Sequence, residues 1–476
     1  MTSLGDVLSL FGWVVLGYYL LVNGLYLVVH IAALYELRAD LKKRAVGSMF
    51  QQFSSPFFPG VTVVVPAYNE EAVIVESVKS LLNLNYPETE IVVVNDGSDD
   101  ATLSRLQSAF DLRPIDAPIP FDVPSKPIET VYQSGDAANL KVVDKDNGGR
   151  ADAVNAGIWL AEQPLFCTID ADSIIDRDGL LQAVEPFLER PEETIATGGT
   201  IRAANGCTIE NGSIESVDLP RNRLAGLQTM EYLRAFYSGR QGLDRLNALM
   251  LISGAFGVFR TDVVREVGGY ETESVTEDFE LTLRLHRYFR EQDREYNVEF
   301  VPEPVVWTEV PESRTAFSRQ RRRWYRGLLD TMARHRQMIG RRRYGSPGLF
   351  GYPAFLLAEV LGPLVEGVGY VLVPLAFAIG AADASFVLMY FGLTVGVGVL
   401  LSWFGILSEV WSFRRYDRPK QVLRLLGAGI LENFGFRQWK TLIAWRGLYE
   451  YVRGDTSWGE MRRSGFNSDS AGTTND

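Results

Sequence analysis

Val61-Thr62-Val63-Val64-Val65-Pro66-Ala67-Tyr68-Asn69-Glu70 and Ile91-Val92-Val93-Val94-Asn95-Asp96-Gly97-Ser98 decide the fold. Each is a β-branched run that stops at a turn, and between them Glu71 to Leu84 repeats its apolar residues with helical spacing. Strands that are apolar throughout are buried on both faces, as in a parallel sheet covered by helices, so the stretch reads as a βαβ unit. In such sheets ligands gather beyond the carboxyl ends of the strands. Pro66, Tyr68, Glu70 and Asp96 stand there, supplying a planar ring for stacking and carboxylates for the polar edge of a base and its ribose. Taken alone, Asn95-Asp96-Gly97-Ser98 is an ordinary turn with good capping chemistry.

The pattern continues downstream. Leu112 to Asn139 is rich in Pro and polar residues and reads as an irregular insertion, after which Leu140-Lys141-Val142-Val143 is a strand. Asn147-Gly148-Gly149-Arg150 then turns into a helix over Ala151 to Ala161. Glycines let a backbone approach a ligand, and Lys145 and Arg150 offer positive charge to a diphosphate. Leu165-Phe166-Cys167-Thr168-Ile169 leads directly into Asp170-Ala171-Asp172. Residues two apart on an extended strand end face the same side, so both carboxylates can share one task. Hard oxygen ligands with room for water and phosphate suit Mg²⁺ or Mn²⁺, which would neutralise a departing nucleoside diphosphate. Thr276-Glu277-Asp278 opens a helix over Phe279 to Arg290, where a carboxylate is also an ordinary cap.

Membrane segments flank this domain. Phe11 to Tyr35 carries no charge and is long enough for one spanning helix by the rule of roughly 20 apolar residues. Arg38, Lys42, Lys43 and Arg44 follow it, and the positive-inside rule places the N-terminus outside and the next domain in the cytoplasm. Leu349 to Gly380 and Ser385 to Trp411 read as an in-and-out pair, followed by Arg414, Arg415, Arg418 and Lys420. Phe317 to Met338 is a basic amphipathic helix on which Gln320, Arg323 and Trp324 share a face, while Arg334, Arg336 and Arg341 to Arg343 suit anionic lipid headgroups. Gln421 to Val452 mixes charges into an apolar pattern and suits a helix lying in the interface, with a third C-terminal crossing as the alternative.

Val65-Pro66-Ala67-Tyr68-Asn69-Glu70, Val94-Asn95-Asp96-Gly97-Ser98, Lys145-Asp146-Asn147-Gly148-Gly149-Arg150-Ala151, Asp170-Ala171-Asp172, Thr276-Glu277-Asp278 and Gln320-Arg321-Arg322-Arg323-Trp324 together resemble family 2 glycosyltransferases. Within that family the chain is similar to the membrane-embedded cellulose, hyaluronan and poly-β-1,6-N-acetylglucosamine synthases. The resemblance implies a GT-A-type α/β domain with a mixed, mainly parallel sheet, flanked by transmembrane and interfacial helices. It implies inverting transfer from a UDP-sugar, with Asp278, beside Glu277, as the base that takes the acceptor proton. Asp170 and Asp172 would hold the metal, and Pro66, Tyr68, Glu70, Asp96, Lys145 and Arg150 the nucleotide sugar. Leu251 to Arg260 resembles the part that lines the acceptor site, and reads equally as core. Gln320, Arg321, Arg323 and Trp324 would serve the acceptor and diphosphate, and Trp458 with Arg462 resembles a gating segment. Where the family often has Lys this chain has Arg150, whose geometry differs.

The expected domains are a membrane helix at 1–36, a linker at 37–56, the GT-A domain at 57–310 and the basic interfacial helix at 311–348. A transmembrane pair at 349–411, an interfacial segment with the gating stretch at 412–466 and a disordered tail at 467–476 complete the chain. With 46% hydrophobic and 22% charged residues, the composition suits a protein partly soluble and partly in lipid, and the basic clusters beside the apolar runs lead to the expectation of a multi-pass protein of the cytoplasmic membrane with a cytoplasmic catalytic domain. A net charge of −12 argues against general nucleic-acid binding. Cys167 and Cys207 are too few for a disulfide framework, and three scattered histidines give little support to a zinc site. The partners implied are a UDP-sugar, a glycan or glycolipid acceptor, membrane lipids, and a second copy or an accessory export subunit that would add helices. The alternative enzyme is a single-step transferase acting on a polyprenyl phosphate or glycolipid.

Overall fold

The computed structural model describes residues 4–47, 58–118, 125–210, 212–416 and 418–454. In their described parts, 47–218 and 251–310 form an α/β unit, and 1–46, 219–250 and 311–458 form a helical unit. Residues 219–250, assigned from sequence to the α/β domain, thus pack with the helical unit.

The strands are β1 (Val61–Ala67), β2 (Thr89–Asp96), β3 (Leu112–Ile115), β4 (Ile128–Ser134), β5 (Leu140–Lys145), β6 (Leu165–Ile169), β7 (Ser173–Ile175), β8 (Thr194–Ala203), β9 (Thr208–Glu210), β10 (Ser213–Ser216), β11 (Phe256–Arg260) and β12 (Asn297–Thr308). All but the β9–β10 hairpin join one sheet in the order β3-β4-β5-β2-β1-β6-β11-β8-β12-β7. Its β5-β2-β1-β6 portion is parallel. β11 runs antiparallel to both β6 and β8, and β12 runs parallel to β8. The helix Arg150–Leu160 covers the parallel portion, where Val64, Val92, Val94, Val143, Ala153 and Ala156 form one buried cluster. Gly157 sets how close that helix comes, since a Cβ there would lie 2.4 Å from a methyl of Val64.

The described parts of Leu112 to Asn139 correct the expected irregular insertion: they supply the antiparallel strands β3, at the sheet edge, and β4 beside it. Pro114 falls on the four-residue outermost strand, where an edge tolerates proline, so the breaker signal hid a real strand.

In the helical unit, Leu10–Leu37, Pro347–Ala378 and Ala384–Phe413 are long and apolar enough to cross a membrane. Val15, Leu16 and Tyr19 of the first pack with Val373 of the second and Phe386 and Tyr390 of the third. Polar bonds join them as well: Tyr18 donates to the Leu357 carbonyl at 2.5 Å and Asn23 to the Leu393 carbonyl at 2.9 Å. The segment expected to lie in the interface forms two helices, Pro419–Leu431 and Arg437–Val452, broken at Phe434 and Gly435, whose φ is 90°. Arg437 ties the break to the second and third apolar helices, donating to Glu366 and to the Thr394 carbonyl.

Candidate active site

The carboxyl ends of β1 and β2 are buttoned together by their own turns. Asn69, at φ 57°, donates its backbone N–H to Ser98 Oγ at 3.0 Å and accepts from the Asp99 N–H through Oδ1 at 2.9 Å. The Glu71 N–H reaches Asp100 at 3.1 Å, and the Glu70 N–H reaches Thr102 Oγ1 at 2.9 Å. Tyr68 is 46% exposed on this rim and Glu70 is buried. Pro66 is half-buried in β1, in register with Val94.

Parallel pairing of β2 with β5 sets Asp96 beside Lys145. The Lys145 ammonium is 2.8 Å from Asp96 Oδ1 and also pairs with Asp152. Asp96 accepts the Gly148 N–H at 3.0 Å and the Gly149 N–H at 2.8 Å, so its carboxylate latches the glycine turn. Lys145 therefore departs from its expected role. At 1% exposure it is walled inside the protein, a cation held by two carboxylates, and cannot meet a diphosphate directly. The turn itself needs glycine: Gly149 has φ 89°, and a Cβ on Gly148 would lie 2.3 Å from Asp152 Cγ.

Arg150 begins the helix that leaves this turn, and its three nitrogens reach three separate segments. Nε donates to Asp170 Oδ1 at 2.8 Å, one terminal nitrogen to Glu277 Oε1 at 2.7 Å, and the other to the Gly254 carbonyl. Burial alone would weaken this cation, but Asp170 and Glu277 outweigh it and hold the guanidinium more basic than usual. Burial pushes the Glu277 carboxyl up, against the pull of Arg150 and with the help of neighbouring Asp278.

Asp170 is half-buried and Asp172 buried just past β6, as the strand reading requires. Glu277 and Asp278 open the helix Glu277–Glu291. Asp278 accepts the Gly254 N–H through Oδ2 at 2.7 Å and the Phe279 N–H through Oδ1 at 2.8 Å. The structure thus gathers Arg150, Asp170, Gly254, Glu277 and Asp278 into one bonded set. Sequence reasoning placed Gly254 only within the Leu251 to Arg260 acceptor-lining stretch and did not single it out for this set, nor Asp152 as the partner of Lys145. Their only signals were a small residue in an apolar run and an acid one turn after two glycines.

In the helical unit, Gln320 to Trp324 lie on the helix Arg314–Arg334. Arg321 pairs with Glu231 at 2.9 Å and lies over the Trp324 ring, 4.5 Å from its centroid. Lys440 completes the group, 2.8 Å from the same Glu231. Burial would raise the Glu231 carboxyl, but Arg321 and Lys440 hold it down at about 2. Arg322 pairs with Glu450 at 2.8 Å, while Gln320 and Arg323 are half-buried. Trp458 and Arg462 lie outside the described residues.

A family profile described as "Glycosyl transferase family 2" matches residues 62–120, and one described as "Glycosyl transferase family group 2" matches 165–385. The chain carries glycosyltransferase family 2 domains. The two matches contain Pro66, Tyr68, Glu70, Asp96, Asp170, Asp172, Glu277, Asp278 and Trp324, so this glycosyltransferase keeps its acidic strand ends and helix start inside the family regions. Poly-β-1,6-N-acetyl-D-glucosamine synthase of Staphylococcus epidermidis is 28% identical over 276 residues, which is 58% of this chain and 56% of that one. The protein of the same name from Staphylococcus aureus (strain COL) matches to the same extent. The glycosyltransferase therefore aligns with a little over half the length of these relatives. Among solved structures, the mannosyltransferase PcManGT from Pyrobaculum calidifontis, in complex with GDP-Man and Mn²⁺, is 18% identical with a TM-score of 0.49 over 89% of this chain and 99% of that one.

Proposed function

We propose that this glycosyltransferase moves a hexosyl or N-acetylhexosaminyl group, with inversion, from a UDP-sugar onto a growing β-linked polysaccharide at the cytoplasmic face of the membrane. One observation carries the reading: the Asp170/Asp172 strand end and the Glu277-Asp278 helix start are bonded through a single arginine. A site that must cleave one bond to a diphosphate while deprotonating an acceptor needs those two carboxylate pairs near each other. The similarity to poly-β-1,6-N-acetyl-D-glucosamine synthases supports a polymer of N-acetylglucosamine as product.

The donor set fits a hard divalent cation. Asp170 and Asp172 give two carboxylates from one strand end, and among the described residues no third His, Cys, Asp or Glu completes a metal cluster. Mg²⁺ is commonly held by one or two carboxylates with substrate phosphates and water filling the rest, and Mn²⁺ accepts the same oxygen donors. Bound there, the cation supplies charge neutralisation for the leaving UDP. Tyr68 and Glu70 on the β1 rim, with Pro66 beneath, receive the nucleoside, and Asp96 acts by fixing the glycine turn. Asp278 takes the proton of the acceptor hydroxyl as that oxygen attacks the anomeric carbon. Its two backbone hydrogen bonds aim the carboxylate. In the helical unit, Gln320 and Arg323 serve the acceptor and diphosphate, and Arg321 steadies the Trp324 ring on which an acceptor sugar stacks.

The test is to incubate the purified membrane protein with a panel of UDP-sugars and Mg²⁺ or Mn²⁺, measuring free UDP and product size together. Long product from one donor is expected. Release of UDP from none would overturn the reading, and a mono-glycosylated lipid as sole product would establish the single-step alternative.

A further inference from the structure

The three-way attachment of Arg150 goes beyond the charge that a diphosphate needs. We infer that Arg150 is a positioning residue, which sets the Asp278 base through Glu277 and the Gly254 turn rather than by gripping the donor phosphates. The inference rests on the proposed transferase activity.

Its geometry separates the two roles. A phosphate-gripping arginine spends its paired N–H groups on one ligand as a fork. Here Nε, one terminal nitrogen and the other point at Asp170, Glu277 and Gly254 respectively, which lie at the end of β6, at the start of the helix Glu277–Glu291 and in the turn before β11. Gly254 is held from both sides: its carbonyl takes Arg150, and its own N–H donates to Asp278 Oδ2 at 2.7 Å. A chain of bonds thus runs from the metal-side carboxylate Asp170, through Arg150 and the Gly254 peptide, to the carboxylate assigned as base. The turn has no slack, because a Cβ on Gly254 would meet Asp278 Oδ2 at 3.3 Å and an Arg150 terminal nitrogen at 3.4 Å. A lysine cannot replace this bracket, since one ammonium on a flexible stem has no planar set of separated donors.

The experiment compares wild type, Arg150→Lys and Glu277→Gln for kcat and donor KM, and for UDP affinity by calorimetry. A base displaced by about 1 Å costs on the order of 10²-fold in rate. Arg150→Lys is expected to lower kcat by that order while donor KM and UDP affinity stay within about threefold. Glu277→Gln is expected to lower kcat in the same way, and the double variant to be little worse than the worse single one, because residues acting through one another are not additive. Loss of UDP affinity by Arg150→Lys in step with its rate would overturn the positioning role and return Arg150 to the phosphates. Additive losses in the double variant would overturn the link through Glu277. If Arg150→Lys fails to fold, Glu277→Gln alone decides: an unchanged kcat sinks the inference. A wild type that releases UDP from no UDP-sugar overturns the activity and this role together, whereas the other outcomes leave the activity standing.

Discussion

At the scale of single residues, the proposed mechanism divides the work between the two acidic pairs, and substitution should show it. Asp278→Asn keeps the volume but removes the basicity, and its single amide oxygen can accept only one of the two backbone N–H groups that Asp278 accepts. The expected result is a rate loss of roughly 10² to 10⁴-fold, the usual worth of a positioned base, with UDP affinity near wild type. A collapse of UDP binding alongside the rate would move Asp278 to the donor site. Asp172→Asn, or chelation of divalent metal, should instead abolish UDP release from folded protein, and full turnover in EDTA would remove the metal from the mechanism. These acids were legible because each sits where an apolar strand stops or a helical repeat begins. Lys145 was read as a ligand for the opposite reason: sequence shows a cation at a strand end but not that Asp96 and Asp152 close over it. That enclosure depends on the β2–β5 register and on a turn of the next helix, which no local pattern encodes.

Among the elements, the parallel strands β1, β2, β5 and β6 and the helix after the glycine turn were readable to within a few residues, since burial on both faces leaves uninterrupted apolar runs. β8 and β12 were not, because Gly198, Gly199, Pro302 and Pro304 disguise them as loops. The glycines are there for contact: a Cβ on Gly199 would lie 2.0 Å from a Val305 methyl on β12. In the helical unit, the Gln320–Trp324 helix is fixed to its neighbours by Glu231, which Arg321 and Lys440 both approach. A carboxylate held at about 2 gives stability that is fully present above its unfolded value near 4.3 and is lost as pH falls toward 2. The shift corresponds to roughly 3 kcal/mol. Thermal inactivation in detergent should therefore show an acid limb in that window. Glu231→Gln should lower the midpoint at pH 7 and flatten the limb, and an unchanged limb would show that Glu231 is not the linkage.

For the whole molecule, the product reports on Trp324 and labelling reports on topology. Trp324→Ala removes an aromatic face while the donor-side acids remain, so the variant should bind UDP yet make no long glycan. Equal product length would make Trp324 a membrane anchor. The arginine clusters predict that the turn at Ala382 faces outward and that Arg418 faces the cytoplasm. In a background without Cys167 and Cys207, Ala382→Cys should react with an impermeant maleimide on intact cells, and Arg418→Cys only after permeabilisation; the reverse pattern would invert the topology. The outermost strand of the sheet bears on how such a protein survives overproduction. β3 has four residues, one of them Pro114, which has no N–H to donate, and Arg113 beside it is exposed. A newcomer chain trying to extend the sheet at that border would find a short ledge with a missing rung and a charge to bury. Fibrillar growth is thereby discouraged at β3, and crowded copies in a membrane are steered toward meeting through other surfaces.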